Sequence, residues 1–483
     1  MNNFSRERFK TGEEYSRALF FLSPFILLFS ISLFQVLNLT LFQGDKYQTI
    51  AESNRIYQKP ISPVRGFIYD RNGTLLAENI VQRDLYVTPA YIEDSAETIL
   101  KLSNLLDVPY ELLDENFSRG VKKVKKFDSF PLVKALNEEQ IAKAKVNLDS
   151  ISGIEVKATL KRYVLHEETL AHVLGYVGDI SSDDIRRDKL LAELQNTQIG
   201  KTGIEKEFDY VLRGKPGIQT QERDVKGKLV RILDTQGAED GKDIYLTIDQ
   251  KLQDHLFKLF ENRRGALVAL EPKTGLVRAL ISSPSFNPNI LNSIVDTDEV
   301  ESLFSNKESP IFNRAISGQY PPASTLKPFV GLAAIENEVI SWDKTIKDDG
   351  EFYVEGDPRP YRGWKENGHG RVDMRKAIAE SSDVYFYTIA FDLTLAGIRP
   401  MLDSFGFGKK TGLTDFEANG LLPDKKWKLG YKGDFWFKGD TINLGIGQGY
   451  ILATPLQLAM AYSGLANKGV ILSLIHISEP TRR

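Results

Sequence analysis

The 483-residue chain contains no cysteine, which excludes disulfides, thiolate zinc sites, iron–sulfur clusters and a cysteine nucleophile. That absence fits a reducing or an oxidising compartment equally. Histidine is scarce: only His166, His172, His255, His369 and His476 occur. No Gly-x-Ser-x-Gly elbow accompanies them, so a Ser-His-Asp hydrolase has little room. Nor is there an excess of positive charge. Lys+Arg 62 against Asp+Glu 65 gives a net charge of −3, without the positive field that binds nucleic acid non-specifically, and nucleic acid is not an expected partner. No internal repeat or low-complexity tract is present either.

One long apolar run is present. From Ala18 to Phe42 no residue is charged, and at ~1.5 Å per residue such a segment crosses a hydrocarbon core of about 30 Å. Arg6, Arg8, Lys10 and Arg17 precede it. Cationic flanks stay on the cytoplasmic side, so a single-pass helix over 18–42 is expected, with residues 1–17 as a cytoplasmic tail and the rest outside. A cleaved signal peptide is the competing reading, but Leu37-Asn38-Leu39-Thr40 lacks a small-x-small cleavage site. Pro24 is read as standing in the first turns, where a missing N–H costs little.

At the other end, Leu472 to Arg483 looks like the translated end of a transposase sequencing adapter. Residues 472–483 are therefore set aside, and the natural chain is expected to continue past Ile471.

Residues 43–241 mix short helical and strand patterns with many charges and form one expected domain. The basic run Ser118 to Lys126 within it reads as a solvated face. Lys242 to Asp249 alternates like a strand and leads into a helical pattern from Gln250 to Phe260. Gly265–Leu270 and Leu276–Ile281 read as two strands joined by a hairpin at Pro272-Lys273-Thr274-Gly275. Helical patterns dominate from Phe329 onward, so 242–471 is expected to be a second, α+β domain.

The chemistry gathers in this second domain. Ser324-Thr325-Leu326-Lys327 precedes an apolar helical run, and on a helix the i and i+3 side chains share a face, within reach of one another. A serine hydroxyl needs a neighbouring base to become a good nucleophile. A desolvated lysine near a helix N-terminus can have its pKa lowered into that role. The spacing itself is weak: Ser341-Trp342-Asp343-Lys344 repeats it in a polar setting that suits a surface cap. In Glu380-Ser381-Ser382-Asp383, Ser381 and Asp383 can face the same cleft, the hydroxyl relaying a proton and the carboxylate holding Lys327 or a substrate amide. Ordinary N-capping by Ser381 or Ser382 is the other reading. His369 with Asp348, Asp349 and Asp357 is the one grouping with metal-ligand chemistry, against the plainer reading of a capped loop. Tyr385, Phe386 and Tyr387 read as core or cleft wall.

Taken in order, Arg65-Gly66-Phe67-Ile68-Tyr69-Asp70-Arg71-Asn72-Gly73, Gly203 to Phe208, Leu212-Arg213-Gly214, Ser324 to Lys327, Ser381-Ser382-Asp383, Gly439-Asp440-Thr441, Gly447-Gln448-Gly449-Tyr450 and Ala453-Thr454-Pro455 resemble the segments of class B penicillin-binding proteins, in their cell-elongation branch. The resemblance spans Ala18 to Ile471. It implies a transmembrane helix, an elongated pedestal domain, then a penicillin-binding transpeptidase domain of helices around an antiparallel sheet. It also implies that Ser324 attacks the terminal D-Ala-D-Ala of a peptidoglycan stem peptide and passes the acyl group to an amine of a neighbouring strand. Lys327, Ser381 and Asp383 would be its catalytic partners, and Gly447, Gln448 and Gly449 would bind substrate. Penicillin and other β-lactams would acylate the same serine, and no cofactor is needed. The implied location is the inner membrane with the catalytic domain in the periplasm, beside a membrane glycan polymerase of the shape, elongation, division and sporulation type. A purely non-catalytic role, activating or scaffolding that polymerase, is the alternative.

The family's third motif, Lys-(Thr/Ser)-Gly on a sheet strand, is the point of departure. Lys201-Thr202-Gly203, Lys273-Thr274-Gly275 and Lys410-Thr411-Gly412 spell it, but each corresponds to another family segment. The motif is expected beyond Ile471, so the sheet would lack its C-terminal strands and the chain ending at Arg483 would be inactive for want of an oxyanion-hole donor.

Overall fold

The computed structural model describes residues 4–39, 43 and 55–478, apart from 123, 125, 148–150, 190, 192–197, 225–228, 262, 294–296 and 357. By its internal contacts the chain divides into two units, one of residues 1–61 with 216–238 and one of 62–215 with 239–483.

The first unit holds a helix, Phe4–Leu37, and a three-stranded antiparallel sheet ordered Ile56–Ile61, Gly217–Arg223, Leu229–Gln236. The window Phe20–Leu37 has mean hydropathy 2.1 and none of it is buried. The helix begins at Phe4 rather than at Ala18, so Pro24 lies in its interior and not in its first turns. A proline there removes one backbone hydrogen bond, which bilayer-spanning helices tolerate by local adjustment. Thr40, Leu41 and Phe42, the end of the expected span, lie outside the described residues. In the small sheet the Arg223 guanidinium stacks on the Tyr57 ring at 3.5 Å.

In the second unit the long strand Leu75–Val87 pairs antiparallel with Ile154–Val164 along its length, and with Ile68–Tyr69 and Phe130–Val133. Leu85, Val87, Ile99, Leu102, Leu113 and Phe130 close a core between these strands and the helices Ser95–Leu106 and Tyr110–Val121. The expected strand after Lys242 forms at Ile244–Leu246, and it adds in parallel to Ile68–Tyr69. The sheet thereby runs across the boundary expected near residue 242. On its other side Ile477–Ser478 pairs antiparallel with Tyr245 and Leu246, so part of the segment set aside as an adapter tail lies in this sheet; residues 479–483 lie outside the described residues.

The helix expected after the strand spans Gln250–Lys258, N-capped by Asp249, and the expected hairpin forms as Gly265–Leu270 with Val277–Ser283. Beyond it the chain is mostly helical, as the patterns indicate. Two short ribbons interrupt it, Ile346–Asp348 with Gly370–Val372 and Glu351–Phe352 with Tyr361–Arg362. Strands of two or three residues carry no readable period. The helices Lys327–Glu336, Asp383–Ser404 and Lys438–Gly445 bury Phe329, Val330, Phe386, Ala390, Ile442 and Leu444 against one another. This packed block is the platform for the site.

Candidate active site

Ser324 lies on a tight 3-10 turn, Ala323–Leu326, that leads directly into the helix Lys327–Glu336. Pro322 precedes the turn and Pro328 opens the helix, where a missing N–H is harmless. Ala323 is held at φ 51°, in the left-handed region, and its N–H donates to the Gly447 carbonyl at 2.8 Å. A Cβ on Gly447 would stand 2.1 Å from the Ala323 carbonyl oxygen, so only glycine lets that loop approach the turn. Behind the turn, Phe329 is fully buried and packs edge-on against Phe405, Phe407 and Tyr462, while the Tyr462 hydroxyl donates to the Thr325 carbonyl at 2.9 Å. Packing on every side therefore fixes an exposed hydroxyl to a rigid base.

Lys327 is 1% exposed. Its Nζ donates to the Ser381 carbonyl at 2.9 Å, to Ser381 Oγ at 3.0 Å and to Asp383 Oδ1 at 2.6 Å. All three of its protons are thereby directed. Ser381 Oγ in turn stands 2.9 Å from Ser324 Oγ. The lysine is joined to Ser324 through Ser381, not by the direct i to i+3 contact that the spacing suggests, because the turn before the helix aims Ser324 at the opposite loop. Burial lowers the lysine's proton affinity below its ordinary value, partly offset by the hydrogen bond and charge of Asp383 and the charge of Asp348.

The two readings of Ser381 and Ser382 are divided between the two serines. Ser382 caps the helix Asp383–Ser404, accepting from the Tyr385 N–H at 3.2 Å. Ser381 sits one residue earlier at φ 55°, and that left-handed conformation turns its hydroxyl into the site.

Ser382 Oγ also donates to Asp348 Oδ2 at 2.6 Å, and the same oxygen meets His369 Nδ1 at 2.7 Å. Asp348 and His369 are thus brought together as a buried hydrogen-bonded network behind the site. Burial pushes the Asp348 carboxyl up, but the hydrogen bonds from Ser382, His369 and the Gly350 N–H hold it below the usual carboxylate range. The expected metal grouping does not otherwise assemble: the Asp349 carboxylate pairs with Lys347 at 2.8 Å on the surface, and Asp357 lies outside the described residues. Among the described residues no three His, Cys, Asp or Glu side chains are placed to hold a metal ion.

Gly447 and Gly449 both take positive φ, 72° and 82°, and Gln448 and Gly449 are exposed beside the serine turn. The three Lys-Thr-Gly tripeptides lie in other elements. Thr202 begins the short helix Gly203–Glu207, Thr274 lies in the hairpin turn, and Thr411 bonds to Glu417.

One residue at the site has no counterpart in the sequence reading. Trp364 donates its backbone N–H to Asp383 Oδ2 at 3.1 Å and its indole Nε1–H to the Ser381 carbonyl at 3.0 Å. A single tryptophan in a charged loop carries no spacing signal that would reveal this.

An exposed serine on a rigid turn, a buried lysine and a bridging serine in this order suit acyl transfer, and the chain as a whole is similar to proteins of that chemistry. The family model described as the penicillin-binding protein dimerisation domain matches residues 60–246, and the one described as the penicillin binding protein transpeptidase domain matches 265–481. The peptidoglycan D,D-transpeptidase MrdA of Acinetobacter baumannii is 38% identical over 433 residues, covering 89% of this chain and 64% of the relative. MrdA of Escherichia coli K12 is 36% identical over 463 residues, covering 94% and 72%. The chain therefore spans about two-thirds of the length of these relatives. Among solved structures, the Helicobacter pylori penicillin-binding protein 2 in complex with MreC matches with a TM-score of 0.79 at 29% identity, over 89% of this chain and 80% of that one. Pseudomonas aeruginosa penicillin-binding protein 2 in complex with WCK 5153 matches at 0.65 and 30%, over 88% and 73%. The chain belongs to the penicillin-binding proteins, in the MrdA family of peptidoglycan D,D-transpeptidases.

Proposed function

We propose that this protein cross-links peptidoglycan stem peptides through an acyl-serine intermediate during cell elongation, with Ser324 as nucleophile, Lys327 as base, Ser381 as proton relay and Asp383 as the group that holds the lysine. The observation that carries this reading is the continuous chain from Ser324 Oγ to Ser381 Oγ at 2.9 Å and on to Lys327 Nζ at 3.0 Å. With the lysine neutral, the Ser324 proton passes to Ser381 Oγ as the Ser381 proton passes to Nζ. Ser324 Oγ bonds to the carbonyl carbon of the penultimate D-Ala. Collapse of the tetrahedral adduct breaks the peptide bond, and the proton returns through Ser381 to the departing D-Ala amine. An amine of a second stem peptide then attacks the ester and regenerates Ser324. Gln448 and Gly449, exposed next to the turn, would line the substrate cleft with Gly447. A β-lactam carbonyl enters the same first step and stays on the serine.

We assign residues 43–241 to the pedestal and 242–471 to the transpeptidase domain, with residues 1–17 in the cytoplasm and everything after the apolar helix in the periplasm. Arg6, Arg8, Lys10 and Arg17 support that orientation. A membrane glycan polymerase of the shape, elongation, division and sporulation type is the proposed protein partner. The match to a transpeptidase domain favours catalysis over a purely scaffolding role.

Membranes from cells carrying the gene, incubated with a fluorescent penicillin, test the assignment. The protein expressed from the full-length gene should take up one label, traced by peptide mass to Ser324, and Ser324→Ala in the same protein should take up none. Undiminished labelling of Ser324→Ala, or a label on another serine, overturns it.

A further inference from the structure

Lys327 and Trp364 donate to the same two groups. The Ser381 carbonyl accepts from Lys327 Nζ at 2.9 Å and from Trp364 Nε1 at 3.0 Å. The Asp383 carboxylate accepts from Lys327 Nζ on Oδ1 at 2.6 Å and from the Trp364 backbone N–H on Oδ2 at 3.1 Å. A carbonyl oxygen has two lone pairs, so the indole occupies the one that the lysine leaves. Yet Trp364 is 66% exposed, so burial of apolar surface does not account for its placement. Its ring packs edge-on against His369, with the centroids 5.4 Å apart, which ties the loop carrying it to the Asp348–His369–Ser382 network.

We propose that Trp364 is a positioning residue for acylation, whose indole N–H holds the Ser381 carbonyl so that neutral Lys327 presents its lone pair to the Ser381 hydroxyl. This rests on the reading of Ser324 and Lys327 given above.

A neutral lysine has two N–H groups and one lone pair. With its hydrogens on the Ser381 carbonyl and Asp383 Oδ1, the lone pair is left facing Ser381 Oγ, as the relay requires. The indole N–H contributes in two ways. It fixes the carbonyl of a residue in a left-handed conformation, and with it the direction of the Ser381 side chain. It also draws electron density from that carbonyl, weakening the hold of the carbonyl on an ammonium and favouring the neutral lysine. The charged groups facing the ammonium are Asp383 from the long helix and Asp348 from the ribbon, with His369 behind Asp348. Lys365 and Glu366, beside Trp364, are exposed. None of these groups replaces a donor on the Ser381 carbonyl.

The test compares the unsubstituted protein with Trp364→Phe, which keeps an aromatic ring and the backbone N–H but removes the indole donor. The second-order rate constant for acylation by a fluorescent penicillin is measured across pH. The expected result is a fall of about three- to tenfold, the scale of one hydrogen bond, together with a shift of the rising limb to higher pH. A rate and midpoint equal to those of the unsubstituted protein overturn the proposal. So does a slower rate with an unmoved midpoint, which would make the residue merely structural. If Trp364→Phe fails to fold, site-specific incorporation of benzothienylalanine, with sulfur in place of the N–H, puts the same question in an isosteric ring. Absence of label from the unsubstituted protein overturns the nucleophile assignment together with this inference, whereas an effect missing from Trp364→Phe alone overturns only the inference.

Discussion

Ala323 opens the turn that carries Ser324, Ser381 stands just before the cap of the helix Asp383–Ser404, and both are non-glycine residues at positive φ, 51° and 55°. Each such conformation costs about 1–2 kcal/mol relative to ordinary backbone, and it persists because the surroundings fix it. For Ala323 these are the Gly447 carbonyl and the buried Phe329 cluster, and for Ser381 the donors Lys327 and Trp364. Strain and chemistry at Ser381 are separable by substitution. Ser381→Ala keeps the strained backbone and removes the relay hydroxyl, so acylation should slow by roughly 100-fold or more with little change in stability. Ser381→Gly should be as slow but more stable by about 1 kcal/mol, because glycine adopts this region freely. Acylation rates with urea unfolding of all three proteins make the comparison. Unchanged acylation in Ser381→Ala would remove the relay from the mechanism, and a less stable Ser381→Gly would remove the strain argument.

At the scale of elements, one buried carboxylate joins three separate segments. Glu205, fully buried on the short helix Gly203–Glu207, accepts from Arg162 on the long strand at 2.6 Å and from Arg65 in the opening segment at 2.6 Å. Arg162 also donates to the Gly66 carbonyl at 2.8 Å. Glu205→Gln keeps the shape but removes the one charge that Arg162 and Arg65 share, leaving Arg65 to Asp209 at 2.9 Å, and should destabilise the protein by ~3–5 kcal/mol. Burial alone raises the Glu205 pKa, but the charges and hydrogen bonds of Arg162 and Arg65 together hold it below its ordinary value. A carboxyl with a depressed folded-state pKa stabilises above the unfolded pKa and loses that contribution as pH falls through the folded one. The stability difference between the two proteins should therefore be full near neutrality and shrink as pH falls from the usual carboxylate range toward the depressed folded-state pKa. A difference that is constant down to strongly acidic pH would show that the ion cluster is not its source. The same cluster marks the limit of sequence reading. Arg65 and Glu205 each fall in segments resembling the family's, but they are 140 positions apart, and no local pattern pairs them. The helix Gln250–Lys258 and the hairpin at 265–283 were legible because their apolar periods run over whole elements. Ser324, Lys327, Ser381 and Asp383 were legible as a set through the resemblance. The place of the Ser381 hydroxyl between Ser324 and Lys327, the role of Trp364 and the bond from Ser382 to Asp348 were not, since each depends on a turn that only tertiary packing sets.

For the whole molecule the decisive element is the apolar window Phe20–Leu37, with mean hydropathy 2.1 and large exposed side chains at Phe20, Phe21, Phe25 and Phe29. An 18-residue helix is about 27 Å long at ~1.5 Å per residue, close to a hydrocarbon core of roughly 30 Å. Every backbone polar group in such a span must be satisfied within the helix, which a continuous run from Phe4 to Leu37 achieves except at Pro24. The protein should accordingly stay with the membrane through alkaline carbonate extraction. Phe25→Arg with Phe29→Arg places two charges in the window, at about 2.5–3.5 kcal/mol each near the bilayer centre, and should release a substantial fraction into the supernatant. Retention of the double variant would mean that some other part of the chain holds it to the membrane. Protease added to spheroplasts tests the direction of crossing on the same material. With Arg6, Arg8, Lys10 and Arg17 retained inside, an epitope at Met1 should survive while the region carrying Ser324 is degraded, and the reverse pattern would exclude acylation of Ser324 by a penicillin confined to the outer side of the membrane.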